Sequence, residues 1–230
     1  MLIIRGLQKT TLLDYPGKVA ATVFLGGCNM RCPFCHNMNL VCSDDLPEFS
    51  EEDILRFLSS RTGILDGVCI TGGEPTLYKD LPNFIRSIKD IGFSVKLDTN
   101  GTNPEMIALL FDEHLIDYVA MDIKSSFSNY GRACGIPDID LSPVKRSIDI
   151  LLKGTCEYEF RTTAVEEYLD DTAVSDIAEA IKGAKHYFLQ GYVESQFVPD
   201  KSLHAVQKEK LLEYTGELSK YIDHVEIRGL

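Results

Sequence analysis

Three cysteines, Cys28, Cys32 and Cys35, crowd into eight consecutive residues of this 230-residue chain. Soft thiolates at such spacing favour zinc, copper(I) or an iron–sulfur cluster. A closed zinc site would need a fourth ligand, which His36 could supply only from the position next to Cys35. A ferredoxin-type cluster would need a fourth cysteine, for which Cys42 is the nearest. The remaining interpretation is a 4Fe–4S cluster with three protein ligands and one iron open to a substrate.

The amino-acid composition limits where in the cell the protein can work and which partners it can bind. Seven cysteines are an odd number for a disulfide framework, and the segment before Lys18 lacks a secretory signal. No apolar run approaches the length of a membrane span, and the net charge of −12 argues against nucleic acid or an anionic membrane as partner. We therefore expect a cytoplasmic protein. The dispersed cysteines lack paired spacing and are interpreted as small core or surface residues: Cys42, Cys69, Cys134 and Cys156.

Unusual polar motifs follow three of the predicted strands. They are Gly72-Gly73-Glu74-Pro75, Asp98-Thr99-Asn100-Gly101 and Asp122-Ile123-Lys124. Asp98 and Asp122 should sit at neighbouring strand tips, where two carboxylates need a proton, a cation or Lys124 between them. The alternatives are a plain turn at the glycines, a helix cap at Asp98 and a surface pair of Asp122 with Lys124.

These motifs require elements that position them, and the chain alternates β-branched runs with helical patterns. The predicted strands are Val19–Leu25, Gly67–Thr71, Ser94–Asp98, Tyr118–Ile123, Glu157–Thr163, His186–Gln190 and His224–Arg228. The predicted helices are Glu51–Ser60 (with Ser50 and Asp53 as a capping box), Leu81–Ile91, Pro104–Phe111, Val144–Leu152, Thr172–Ile181 and Ala205–Lys220. About six strand–helix units predict an α/β fold, an incomplete (β/α)6 TIM-like barrel formed by residues 1–230 as one domain. Chemistry collects at the C-terminal ends of such strands.

The sequence motifs also resemble those of known enzyme families. Cys-x3-Cys-x2-Cys resembles the signature of the radical S-adenosylmethionine (SAM) superfamily. Its extension Cys35-His36-Asn37, with Asp14-Tyr15-Pro16-Gly17 upstream, resembles the glycyl-radical-enzyme activases. From Arg5-Gly6 to the last strand the chain resembles the activating proteins of anaerobic ribonucleoside-triphosphate reductase, and it is similar to pyruvate formate-lyase activating enzyme.

The resemblance implies a role for each motif. Cys28, Cys32 and Cys35 would bind the 4Fe–4S cluster. The residues implied for SAM are Gly72, Gly73 and Glu74 at its amino group, Asp98, Thr99, Asn100, Asp122 and Lys124 at its other polar groups, the backbone of Phe34 at adenine, and Thr163 and Gln190 along the adenosine. A monovalent cation is implied at Asp98, Thr99, Asp122 and the backbone of Ala120. Asp14 would lie near the partner's loop or have an ordinary turn role.

The implied activity is reductive cleavage of SAM to a 5′-deoxyadenosyl radical, which abstracts hydrogen from a glycine of a partner enzyme. The partner would be anaerobic (class III) ribonucleotide reductase, and the reductant a flavodoxin or ferredoxin. Three alternatives remain: activation of another glycyl radical enzyme such as pyruvate formate-lyase, a small-molecule radical SAM enzyme related to the carboxy-deazaguanine synthases, and a non-enzymatic iron–sulfur or zinc module.

Overall fold

A computed structural model describes residues 1–42, 47–154 and 156–229. Within these ranges one sheet contains eight strands in chain order. The strands are β1 (Ile4–Thr11), β2 (Ala20–Leu25), β3 (Gly67–Gly72), β4 (Ser94–Thr99), β5 (Tyr118–Asp122), β6 (Glu157–Ala164), β7 (His186–Gly191) and β8 (His224–Arg228). The helices are α1 (Met38–Cys42), α2 (Glu51–Ser59), α3 (Leu81–Ile91), α4 (Pro104–Asp112), α5 (Tyr130–Cys134), α6 (Ser142–Lys153), α7 (Asp171–Ala180) and α8 (Lys208–Leu218).

The strand pairing confirms the predicted incomplete barrel. Strands β2 to β8 pair in parallel with their chain neighbours, and each of β2 to β7 is followed by a helix before the next strand. These are six β/α units, with β8 completing the last crossover. The sheet has one strand more than the sequence predicted, because β1 pairs antiparallel with β2. Strands β1 and β8 form the two edges of the sheet.

Helix α3 shows why the predicted helices form where they do. Pro82 occupies its first turn, where a missing N–H costs nothing, and Gly92 ends it in the left-handed region with φ of 107°. Between them Phe84, Ile85 and Ile88 are buried against the sheet. Burial of each such side chain contributes roughly 1.5–3 kcal/mol. Helix α2 begins as predicted, since the Ser50 side chain accepts a hydrogen bond from the Asp53 N–H at 3.1 Å.

The two faces of the sheet differ in chemistry. Side chains at one set of alternating positions, including Val95, Leu97 and Val119, are buried in the apolar core between strands and helices. The other set points into the barrel and includes the buried Lys96 and Glu159. The barrel interior is therefore charged. In the described part of the chain no helix combines the length and the apolar character that crossing a membrane requires.

Candidate active site

The three clustered cysteines lie in the loop between β2 and α1, at the C-terminal edge of the parallel strands. All three are free thiols and line one cavity of about 370 Å³. The loop has a defined conformation. The Met30 N–H donates to the Cys28 Sγ at 3.3 Å, and the Cys35 N–H donates to the Cys32 carbonyl at 3.1 Å. The Asp200 N–H donates to the Pro33 carbonyl at 3.1 Å and ties the segment between β7 and α8 to this loop.

Burial dominates the electrostatics of these thiols. It raises the pKa of Cys28 and Cys35, and it raises the pKa of Cys32 to about 12. The positive charge of Lys124 opposes the rise at all three. A thiolate at these positions therefore needs compensation by positive charge, which is what a bound metal centre supplies.

The glycine motif after β3 packs directly on the cysteine loop. The Gly73 N–H donates to the Leu25 carbonyl at 2.8 Å, and the Glu74 N–H donates to the Gly27 carbonyl at 2.9 Å. A Cβ atom on Gly73 would lie 1.7 Å from the Gly27 oxygen, so no other residue fits there. Gly72 adopts φ of 120°, in the left-handed region. The plain-turn alternative is therefore incomplete, because the glycines join two segments of the cavity wall.

Glu74 ties the ends of β3 and β4 together. Its carboxylate is 1% exposed. The Oε1 atom accepts from the Thr76 N–H at 3.1 Å, the Thr76 hydroxyl at 2.5 Å and the Thr99 hydroxyl at 2.8 Å, and the Oε2 atom accepts from the Asn100 N–H at 2.7 Å. Burial raises the pKa of Glu74, and these hydrogen bonds oppose the rise.

Asp98 and Asp122 are joined by a ladder of alternating charges across β4, β5 and β6. Lys96 forms an ion pair with Asp98, and the Arg161 Nη1 lies 3.2 Å from the Asp98 Oδ2. The Arg161 Nε donates to the Asp122 Oδ1 at 2.8 Å, and the Lys124 Nζ donates to the Asp122 Oδ2 at 3.0 Å. We call these five residues the charge ladder. The helix-cap alternative for Asp98 is wrong, because Asn103 caps α4.

The ladder sets the ionisation of its members. Burial by itself would raise the pKa of Asp122, but the charges of Arg161 and Lys124 outweigh it and lower the pKa to about 2. The pKa of Asp98 is likewise lowered, because Arg161 and Lys96 outweigh burial. The pKa of Lys124 is raised, since the attraction of Asp122 and Cys32 exceeds the effect of burial. Both aspartates are thus carboxylates at neutral pH.

The cavity brings together nearly all residues that the sequence singled out. It is lined by Cys28, Cys32, Phe34, Cys35, Gly72, Gly73, Glu74, Asp98, Thr99, Asn100, Asp122, Lys124, Thr163 and Gln190. Ala120 is fully buried and lies opposite Asp98 in the pairing of β4 with β5. Asp14 also lines the cavity and accepts a hydrogen bond from the Thr22 hydroxyl at 2.5 Å.

Sequence reasoning missed two cations of the charge ladder, Lys96 at one end and Arg161 at the centre. Each lies two residues from a polar neighbour on the same strand face, Asp98 in β4 and Thr163 in β6. Such alternation was available as a signal, but it is the same pattern that a solvent-facing strand gives. A second missed contact is Asn29, whose Oδ1 accepts from the Asn100 side chain at 2.9 Å and whose Nδ2 donates to Thr102 at 2.8 Å.

The remaining cysteines stay apart from this site's thiol cluster. Cys69 and Cys134 are buried, Cys42 is exposed and Cys156 is partly exposed, in agreement with their interpretation as small core or surface residues. Among the described residues, no three His, Cys, Asp or Glu side chains converge on a single ion. Three thiols on one cavity wall, with an N–H directed at one sulfur, suit the donor set of an iron–sulfur cluster.

Comparison with known proteins identifies the class. Residues 22–179 match the profile of the Radical SAM superfamily. The chain belongs to this superfamily, and the matched residues include the three cysteines that line the cavity described above. It is also 36% identical, over 99% of its length and 96% of the relative, to a protein of Methanocaldococcus jannaschii named as a candidate glycyl-radical enzyme activating enzyme. Within the superfamily it is therefore a radical SAM enzyme of the glycyl-radical enzyme activating type.

Solved structures share the fold. SuiB of Streptococcus suis, bound to S-adenosylmethionine, aligns with a TM-score of 0.70 at 14% identity, over 88% of this chain and 48% of that one. This chain thus spans about half the length of SuiB. A domain of pyruvate-formate lyase-activating enzyme from Bacteroides vulgatus aligns with a TM-score of 0.58 at 19% identity, over 71% of this chain and 99% of that one.

Proposed function

We propose that this protein cleaves SAM reductively and installs a glycyl radical on anaerobic ribonucleotide reductase. The observation that carries the proposal is the meeting of three free thiols with the glycine and carboxylate motifs of β3, β4 and β5 on one cavity. Similarity over nearly the whole chain to a candidate glycyl-radical enzyme activating enzyme supports the activase assignment. The choice of ribonucleotide reductase rests on the resemblance of the sequence motifs.

In this proposal, different residues of the cavity bind the cluster and SAM. Cys28, Cys32 and Cys35 would hold the 4Fe–4S cluster, and together with SAM it would supply the one-electron chemistry of the reaction. Glu74 with the Gly73 backbone would receive the amino group of SAM, and the remaining SAM contacts would come from Phe34, Gly72, Asp98, Thr99, Asn100, Asp122, Lys124, Thr163 and Gln190.

The protein's own contribution is a rigid polar frame. Glu74 is held by three hydrogen bonds on Oε1 and one on Oε2, so Oε2 keeps the capacity to accept an ammonium group while the carboxylate stays in place. Lys124 directs its charge into the same cavity while anchored to Asp122. Glu74 is fixed by Thr99 and Asn100 at the end of β4, and Lys124 is fixed by Asp122 at the end of β5, which would orient a bound ligand toward the cysteine loop.

A partner protein completes the site in this proposal. A carbon radical must be shielded from water, and the sheet ends in two separate edges, β1 and β8, rather than a closed ring. A glycine-bearing loop of the partner would enter the cavity and exclude solvent.

We also propose that residues 1–230 act as one radical SAM domain and that a flavodoxin or ferredoxin supplies the electron. The enzyme would work in the cytoplasm, where its seven free cysteines stay reduced.

The test combines the reconstituted enzyme with purified anaerobic ribonucleotide reductase, SAM and dithionite in the absence of oxygen. We expect 5′-deoxyadenosine by chromatography and a glycyl radical by electron paramagnetic resonance. Cys32→Ser should lower both signals by about 100-fold or more, because it removes a cluster ligand. The matched control is Cys42→Ser, at an exposed thiol, which should leave both signals unchanged.

The alternatives predict different results in the same experiment. A glycyl radical on pyruvate formate-lyase but not on ribonucleotide reductase would contradict the choice of partner. Deoxyadenosine formed at the same rate without any protein partner, in the presence of a small molecule alone, would contradict the activase. Failure to form deoxyadenosine with intact cluster would contradict the whole proposal.

A further inference from the structure

The carboxylates expected to bind a monovalent cation already contact fixed cations of the chain. Both oxygens of Asp98 are engaged, Oδ1 by Lys96 and Oδ2 by Arg161 together with the Thr71 hydroxyl at 3.2 Å. Both oxygens of Asp122 are engaged as well, Oδ1 by Arg161 and Oδ2 by Lys124. A metal ion between the two aspartates would have to displace the guanidinium.

The third expected ligand is occupied in the same way. The Thr99 hydroxyl donates to Glu74 at 2.8 Å and accepts from the Gly101 N–H at 3.1 Å. The Thr99 hydroxyl therefore binds Glu74 and the loop after β4, and it is not directed at an ion beside Asp98. Thr99 is directed at Glu74, and the space between Asp98 and Asp122 is filled by the Arg161 guanidinium, so the residues present do not fit the ion that the resemblance implied.

Charge gives an independent argument. The charge ladder contains three cations, Lys96, Arg161 and Lys124, and two carboxylates. The carboxylate of Glu159 lies 4.0 Å from Arg161 but is paired with Arg228. Arg161 is 12% exposed and Lys96 is 2% exposed, so their charges are weakly screened by solvent. A further cation placed between the carboxylates would lie against the guanidinium, and like charges repel strongly in such surroundings.

We infer that Arg161 takes the place of the monovalent cation, so that the enzyme carries its own positive charge between Asp98 and Asp122. This inference rests on the proposed function, since it concerns the SAM cavity. It makes Arg161 a positioning residue, which holds two strand tips in register beneath the ligand. A guanidinium suits the task because its planar fork donates from Nε to one carboxylate and from Nη1 to the other, which an ammonium group cannot do with the same geometry.

The strand register explains how one side chain reaches both tips. Arg161 lies directly opposite Asp122 in the pairing of β6 with β5. Asp98 lies one strand further, opposite Ala120. The small side chain of Ala120 leaves the path across β5 open to the guanidinium. Ala120 thus contributes to the site by its size, in a role different from the backbone ligand that the resemblance implied.

The first test uses the unaltered, cluster-loaded enzyme. SAM affinity is measured by equilibrium dialysis in choline, sodium and potassium chloride at equal ionic strength. We expect dissociation constants that agree within about twofold, because the site already holds its counter-charge. Crystals soaked in rubidium should show no anomalous peak between Asp98 and Asp122. A fivefold or greater gain of affinity in potassium (about 1 kcal/mol) or a rubidium peak at this position would overturn the inference.

The second test removes the built-in charge. Arg161→Met should weaken SAM binding in choline by about tenfold, and potassium should restore much of the loss, because two adjacent carboxylates then need an external cation. Arg161→Lys keeps a fixed charge and should show no potassium response. The control Arg56→Met removes an exposed arginine of α2 and should behave as the unaltered enzyme. Arg161→Met with unchanged SAM affinity in choline would overturn the inference.

These outcomes separate the inference from the proposed function. An enzyme that binds SAM equally in all salts but activates no partner would contradict the activase and leave Arg161 in its role. If Arg161→Met does not fold, the salt series and the rubidium soak on the unaltered protein decide the question. The soak requires no activity at all.

Discussion

At the scale of single residues, the main feature of the site is that the carboxylate oxygens of Glu74, Asp98 and Asp122 all have hydrogen-bond or ion-pair partners. Glu74 has four donors on two oxygens, and the four carboxylate oxygens of Asp98 and Asp122 contact three cations. Each of these groups is costly to bury alone and inexpensive once paired. The hydrogen bonds and ion pairs that offset the cost of burying these charges are therefore the same ones that hold the side chains in position for a ligand.

Glu74→Gln tests this double role. The amide places an N–H₂ group against at least one donor among Thr76, Thr99 and Asn100, which should cost about 1–3 kcal/mol of unfolding free energy. Loss of the negative charge should also weaken SAM binding by about tenfold, since a charge-assisted hydrogen bond is replaced by a neutral one. Chemical unfolding and equilibrium dialysis measure the two effects separately.

The control for this substitution is Glu52→Gln, at an exposed carboxylate of α2. It should change neither quantity. If Glu74→Gln lowered stability but left SAM affinity unchanged, the carboxylate would be a structural tie alone, and the amino group of SAM would have to bind elsewhere.

At this scale the sequence predicted most of the site, including Lys124, but missed the other two cations of the charge ladder, Lys96 and Arg161. Cysteine spacing and the motifs after β3, β4 and β5 point to chemistry because such clusters rarely serve packing alone. Lys96 and Arg161 alternate with apolar residues along their strands, and that period is identical whether the polar face meets solvent or the interior of a barrel. Only the curvature of the sheet, which depends on contacts across several strands, decides between the two.

At the scale of elements, β8 is anchored by an ion pair between a partly exposed arginine and a buried carboxylate, in addition to its pairing with β7. Arg228 donates from Nη1 and Nη2 to the two oxygens of Glu159 in β6, at 2.9 and 3.0 Å. Glu159 is fully buried and also accepts from the Tyr118 hydroxyl at 2.8 Å. Arg228 lies over the ring of Phe188 in β7 as well. The last strand is thus anchored across β7 to the strand beyond it.

Arg228→Met should destabilise the protein by about 3 kcal/mol, because it leaves a buried carboxylate without its bidentate partner. Urea unfolding measures the loss. The matched control is Arg146→Met, which breaks a pair with Glu105 in which both side chains are more than half exposed and should cost no more than about 0.5 kcal/mol. Equal losses from the two substitutions would show that the interior pair contributes nothing beyond a surface contact.

The elements also show where sequence reasoning reaches its limit. Helix α3 and strand β8 have the predicted bounds, because a capping glycine or a clear alternation marks their ends. Strand β1 was missed, since it lies at the edge of the sheet and Gln8, Lys9 and Thr10 are exposed, which hides the apolar period. The short helices α1 and α5 have five residues each, too few for a helical period to be recognised.

At the scale of the whole molecule, the ladder links stability to pH. The pKa of Asp122 is lowered from 3.8 to about 2 in the folded protein. The stability that this shift contributes is fully present above the ordinary aspartate pKa and is lost as pH falls toward 2. Asp122 alone should contribute on the order of 2 kcal/mol. Asp98 acts in the same direction, whereas Glu74, with its raised pKa, acts in the opposite one.

The measurement is the free energy of unfolding between pH 4 and pH 2. We expect it to fall, and we expect Asp122→Asn to flatten the slope, because the variant has no proton to take up at that position. Asp138→Asn, at an exposed aspartate, should leave the slope unchanged. A slope that is identical in the unaltered protein and in Asp122→Asn would show that the ladder does not govern acid stability.

The backbone contacts between the glycine motif and the cysteine loop have a consequence for how firmly the proposed cluster would be retained. Gly73 and Glu74 form hydrogen bonds with the carbonyls of Leu25 and Gly27, just ahead of the first cluster cysteine. Outward movement of the cysteine loop would break these two hydrogen bonds and open the cavity wall. If the cluster and SAM bind as proposed, loss of either one should weaken retention of the other, because both would rest on these same two peptide groups.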